Sequence, residues 1–157
     1  MSRISYSEDM WASIRWGGAA KQAIYGKRGQ TILRELRQAL LDMPRKRLAY
    51  SHLVSPLGDY CVLGALAQSR GYGRWTLEHA DDNHDSADWA KENLGLTYTL
   101  AWELMEKNDE GLYVGRREPT PEQRYKFVLE WVERHIKPPT QPAPATRAEG
   151  SAANGNS

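Results

Sequence analysis

Cys61 is the chain's single thiol and opens an apolar run, Cys61-Val62-Leu63-Gly64-Ala65-Leu66-Ala67. At a helix N-terminus the dipole favours a thiolate, the nucleophilic form, and His52, His79, His84 and His135 are available as bases. That set would support cysteine-dependent catalysis. Its neighbours Tyr60, Val62 and Leu63 favour a plainer role for Cys61, a small hydrophobe in the core. A second chemistry is written in residues 81–92, where Asp81, Asn83, Asp85 and Glu92 fall at positions 1, 3, 5 and 12 of an EF-hand calcium loop. Ser86 stands where that loop needs glycine for its turn, and Asp88 where an apolar residue is usual, so capping of a helix by acids competes with metal binding. His79, Asp82 and His84 make a weaker transition-metal set. No cofactor is expected.

The most pronounced binding feature is basic. Lys27, Arg28, Arg34, Arg37, Arg45, Lys46 and Arg47, with Lys21 before them, have Trp16 and Tyr25 nearby for stacking, a combination suited to nucleic acid. Lys27-Arg28-Gly29 at a helix junction could hold a phosphate on exposed N–H groups. Residues 1–50 carry ten Lys/Arg against four Asp/Glu, and residues 51–112 carry four against eleven, so the formal charge of +1 hides a basic and an acidic segment. Such segments either steer partners or neutralise each other when they pack, and internal neutralisation is the first expectation.

The elements that must position these residues follow from periodicity. Ser7-Glu8-Asp9 has the form of an N-cap followed by first-turn acids, and Met10, Ile14, Gly17, Ala20 and Ile24 then recur at helical spacing to about Tyr25. Gly17-Gly18 inside that helix predicts a kink or a tight helix contact. Arg28 to Met43 is the cleanest amphipathic signal, with Ile32, Leu33, Leu36, Ala39, Leu40 and Met43 on one stripe and Pro44 as its stop. Leu48, Tyr50, His52 and Val54 alternate as in a short hairpin arm. Helices are predicted from Cys61 to about Ser69, from Ser86 to Asn93 and from a Thr97 cap to Lys107, with a loop over 70–85. Ala90, Leu94, Gly95, Leu96, Ala101 and Leu104 fit a helix-turn-helix DNA-binding unit near 88–107, although Lys91, Glu103 and Glu106 fit it poorly. Thr120-Pro121-Glu122-Gln123 combines an N-cap, a proline at the first helical position and a capping-box glutamine. Tyr125, Val128, Leu129, Val132 and Ile136 are its core stripe.

The sum is an all-α or mainly α fold, a bundle of five or six helices with one minor hairpin at most, over residues 1–137. Residues 138–157, rich in Pro, Ala, Gly and Ser, are expected to be a disordered tail. A composition of 157 residues with 40% apolar content suits one domain with its own core. With six Trp and eight Tyr against one Phe, several aromatics must sit at the core boundary or on a binding face. One cysteine makes no internal disulfide, no apolar stretch spans a bilayer, and the first residues lack a signal-peptide core, which predicts a cytoplasmic protein without membrane contact.

Gly26-Lys27-Arg28-Gly29-Gln30, Arg34-Glu35-Leu36, Asp42-Met43-Pro44-Arg45-Lys46-Arg47-Leu48, Cys61-Val62-Leu63-Gly64-Ala65-Leu66, Asn108-Asp109-Glu110 and Thr120-Pro121-Glu122-Gln123-Arg124 together resemble a family of small tailed-phage and prophage proteins with no assigned activity. The similarity covers roughly residues 10–136 and implies a phage accessory protein, in the host cytoplasm, with no catalytic residues to carry over. The leading expectation is therefore a non-catalytic protein that binds a host or phage protein through the basic Lys27 to Arg47 face and exposed tryptophans. A nucleic-acid-binding regulator using the same face is the alternative, and a Cys61 enzyme comes third.

Overall fold

The computed structural model describes residues 2–111 and 117–139, with side chains from Met10 onward except that of Trp11. At its centre α3 (Val62–Ser69) buries every residue from Val62 to Ala67, as its unbroken apolar run requires. Around it pack α2 (Lys27–Asp42) and the hairpin of α5 (Ser86–Leu94) with α6 (Tyr98–Glu110). Helix α7 (Pro121–His135) lies against α2 and α6, and α1 (Ser2–Tyr25) against the same pair. The mainly α expectation holds, and among the described residues there are seven helices and no strand.

The added helix is α4 (Arg74–Asn83), in the segment expected to be a loop. It buries only Leu77 and Ala80, too thin a stripe to raise a periodic signal, and Asp81 and Asp82 crowd its C-terminal end, where the dipole disfavours acids. The alternation at 48–54 is also corrected. Leu48 and Val54 are buried, but so are Ala49 and Leu53, while Tyr50 and His52 are exposed. Ser51 at φ 64° reverses the chain there, leaving one antiparallel bridge, Val54 to Tyr60, in place of a hairpin.

Ser7 lies inside α1, not at its cap, because the helix starts at Ser2. The α1 stripe reaches the core only at Ala20 and Ile24, whereas Met10 and Ile14 are exposed. A Cβ added at Gly17 or Gly18 would meet nothing within 4 Å, so neither glycine marks a tight contact. The tight contact is at Gly29, where a Cβ would stand 1.8 Å from the Ala23 carbonyl oxygen and close the α1–α2 junction. Gly18→Ala is therefore expected to stabilise the chain by about 0.5–1 kcal/mol, because it removes unfolded-state freedom without a clash. A thermal melt in which its midpoint fails to rise would contradict this.

The predicted stripe of α2 is core; in α7 Tyr125, Val128 and Val132 are buried as expected, Leu129 and Ile136 are partly buried against the core, and Trp131 joins it, while the capping box at Thr120 and Gln123 is formed in both directions. Gly95, at φ 73°, ends α5 in the left-handed conformation, and Thr97 caps α6 through the Leu100 N–H. Of the tail expected over 138–157, residues 140–157 lie outside the described residues.

Candidate functional site

The basic segment is divided rather than displayed as one face. Arg45 and Arg47 close on the buried carboxylate of Asp59 at 2.8 and 3.2 Å, and Arg47 also reaches Glu122 at 2.7 Å. Arg37 pairs with Glu133 at 3.0 Å. Lys46 donates to the carbonyls of Leu41 and Met43, which α2 leaves open at its C-terminus, and so acts as a capping residue. Arg28 donates to the Gly95 carbonyl, which takes one of the two charges away from the expected phosphate position. Lys21, Lys27 and Arg34 are exposed, and no ion pair holds them among the described residues. Internal neutralisation thus operates, although among the described residues Asp59 is the only carboxylate of the acidic segment in an ion pair with these cations.

The calcium arrangement is not formed. Residues 81–83 belong to α4, and the two oxygens of Asp81 accept the N–H groups of Leu53 at 2.9 Å and Val54 at 3.2 Å. Asn83 donates back to the His79 carbonyl, Asp85 is the N-cap residue of α5, and Glu92 is exposed on that helix. His79 stacks on Trp75 with the rings 4° from parallel, away from any set with Asp82 and His84. No group of three or more His, Cys, Asp or Glu side chains among the described residues could hold a metal ion. The physical reason is that Asp81, Asp82 and Asn83 are wound into α4 and Glu92 into α5, so no continuous loop wraps these side chains around a point.

Cys61 is the N-cap of α3, as its position suggests, but its sulfur is fully buried and accepts the Gly64 N–H at 3.3 Å. Burial pushes the thiol from 9.0 up to about 12, against the lowering effect of that N–H. The thiolate required of a nucleophile is suppressed. A thiol held neutral by the fold stabilises it fully below the unfolded value of 9.0, and that contribution is lost as pH rises toward about 12. Stability should therefore fall by up to about 1.4 kcal/mol per pH unit above pH 9, and a Cys61→Ser protein should lack this slope. Denaturant titrations between pH 8 and 10 check it, and identical slopes in the two proteins would contradict it.

The helix-turn-helix packing residues Ala90, Leu94, Leu96, Ala101 and Leu104 are all buried, so the pattern describes a core hairpin. Its outer helix is not free for a DNA groove, because α1 lies along α6. Trp16 of α1 packs edge-on against Trp102, centroids 5.2 Å apart, and its indole N–H donates to Glu103 at 2.9 Å.

This α1–α6 seam holds the surface that sequence reasoning missed. Trp16, Tyr98 and Trp102 line an open apolar depression, with Tyr98 38% and Trp102 39% exposed. Trp102 also lines an adjoining cleft of about 230 Å³ with Ser51, Met105, Asp85, Glu106, Asp109 and Glu110. Ser51 and Asp109 are joined through the Ser51 N–H at 2.8 Å, and burial raises the Asp109 carboxyl above its ordinary value despite that bond. A signal for this surface exists in the sequence: the α6 core positions Leu100, Ala101, Leu104 and Asn108 leave Tyr98, Trp102 and Met105 off the buried stripe.

No protein-family model, no curated protein and no solved structure matches this chain.

Proposed function

We propose that this chain is a non-catalytic binding protein that docks a host or phage protein through the face formed by Trp16, Tyr98 and Trp102. The observation that carries this reading is an edge-packed tryptophan pair left at the surface beside an exposed tyrosine. Trp and Tyr are the side chains that supply the most binding energy at protein interfaces, and pre-ordered rings lose little freedom on docking. The described clefts are shallow and open, a form suited to a macromolecule more than to an enclosed substrate. The buried neutral thiol speaks against catalysis by Cys61. Phage origin and action in the host cytoplasm belong to this proposal through the resemblance alone; the absence among described residues of a helix able to cross a membrane agrees with it.

A nucleic-acid-binding role keeps one support, the exposed Lys27 and Arg34, seven residues apart on the outer side of α2 with Lys21 nearby in sequence. Three cations make few phosphate contacts, so this reading predicts weak, strongly salt-dependent binding.

Capture from a nuclease-treated bacterial lysate separates the two. The wild-type protein is expected to retain a stoichiometric protein partner that Trp102→Ala loses, a truncation costing about 2 kcal/mol or more at a hot spot. Material that disappears with nuclease, or with Arg34→Glu but not Trp102→Ala, would reverse the order of the readings.

A further inference from the structure

The aromatic face and the acidic cleft share Trp102, so one occupant can touch both. Four carboxylates line the cleft, those of Asp85, Glu106, Asp109 and Glu110, and among the described residues none is in an ion pair with a Lys or Arg. Lys107, although on the same helix, does not line it. Glu106, Asp109 and Glu110 occupy the last turns of α6, whose negative dipole end adds to their field. Asp109 is half-buried, which disfavours its ionised form; hydrogen bonds from Asn108 and Ser51 and the charges of Arg124 and His52 offset this only in part, so a further cation in the cleft would favour it.

Resting on the docking role proposed above, we infer that the partner presents a cationic segment, with an apolar side chain seated on Trp16, Tyr98 and Trp102 and Lys or Arg side chains entering the cleft. Other occupants fit less well. A metal ion is disfavoured because the carboxylates do not converge into a ligand group. A cofactor-sized molecule is disfavoured because both depressions are open and would leave such a ligand largely exposed, while the cleft of about 230 Å³ accommodates one or two extended side chains. Nucleic acid is repelled by these four carboxylates, none of which is in an ion pair with a Lys or Arg among the described residues.

Selection of a random peptide library on the immobilised full chain tests the inference whatever the partner's identity. Peptides enriched on wild type and lost on Trp102→Ala should pair an aliphatic or aromatic residue with two or more Lys/Arg. Their affinity should fall on the order of tenfold in Glu106→Gln/Glu110→Gln and weaken with salt, while Glu92→Gln, outside the cleft, changes little. Enriched peptides that depend on Trp102 but carry no positive charge, or that ignore Glu106 and Glu110, would overturn the cationic partner and leave the docking face standing. Enrichment indifferent to Trp102, or no enrichment at all, would overturn both.

Discussion

Replacing Gly64 with alanine is expected to destabilise this protein strongly. A Cβ at that position would stand 1.9 Å from the carbonyl oxygen of Leu53 and 2.8 Å from its carbonyl carbon. Side-chain collisions relax by rotation, but this one is with backbone that is pinned on both sides. The Leu53 carbonyl accepts the Cys61 N–H at 3.2 Å, and the Leu53 N–H donates to Asp81 at 2.9 Å. Either α3 withdraws from the 44–60 segment or both hydrogen bonds break. The expected loss is about 3 kcal/mol or more, a large part of a typical domain's stability, and should lower the melting midpoint by roughly 10 °C. Calorimetry decides it. An unchanged midpoint would mean that α3 is not seated beneath Leu53.

Asn108→Ala should also have a large effect. Asn108 is 1% exposed and belongs to α6, yet its amide serves the loop and α3 at once. Its Oδ1 accepts the Val62 N–H at 3.0 Å, and its Nδ2 donates to the Ala49 carbonyl at 2.9 Å and to Asp109 at 2.8 Å. Truncation strands a buried donor and a buried acceptor at sites without room for easy solvation, which costs about 1–3 kcal/mol for each group. A combined loss of about 2–4 kcal/mol should appear as a lower denaturant midpoint with an unchanged slope. Because Asp109 is the neighbour that holds the Ser51 N–H, the same variant should loosen the acidic cleft. A midpoint equal to wild type would contradict the assigned hydrogen bonds.

These two residues also show where sequence reading stops. The helices with wide apolar stripes or strong caps, α2 and α7, are legible because local chemistry and tertiary packing ask for the same residues. Helix α4 is not, since its two buried residues give no period and its acids oppose its dipole. Gly17-Gly18 has the composition of a close contact, while the tightest backbone contacts that exclude a methyl group are at Gly29 and Gly64, whose partners are the backbones of Ala23 and Leu53. Such partners are distant or differently oriented along the chain, and no spacing rule names them. Arg124 is another instance: a charged residue at 3% exposure, donating to the Leu48 carbonyl at 2.9 Å and lying over the Tyr50 ring.

The same limit governs the candidate site. Exposed tryptophans are expected on the contact surface from composition, but the density of charge in the basic segment points to Lys27 through Arg47, where Asp59, Glu122, Glu133 and two sets of carbonyls account for most of the charge. Neutralisation depends on which acids the fold brings near, and that is a property of the packed chain. The face on α6 becomes visible once the buried stripe of that helix is known, because Tyr98 and Trp102 are then aromatics with no core to enter.

The most direct test of the central claim is site-specific photocrosslinking in lysate, with a benzophenone amino acid placed at Tyr98 in one protein and at Arg34 in another. The docking account predicts a discrete, nuclease-resistant protein adduct from position 98 and none from position 34. A discrete adduct from position 34 alone, or one that nuclease removes, would contradict it and place the binding surface on the basic side of α2.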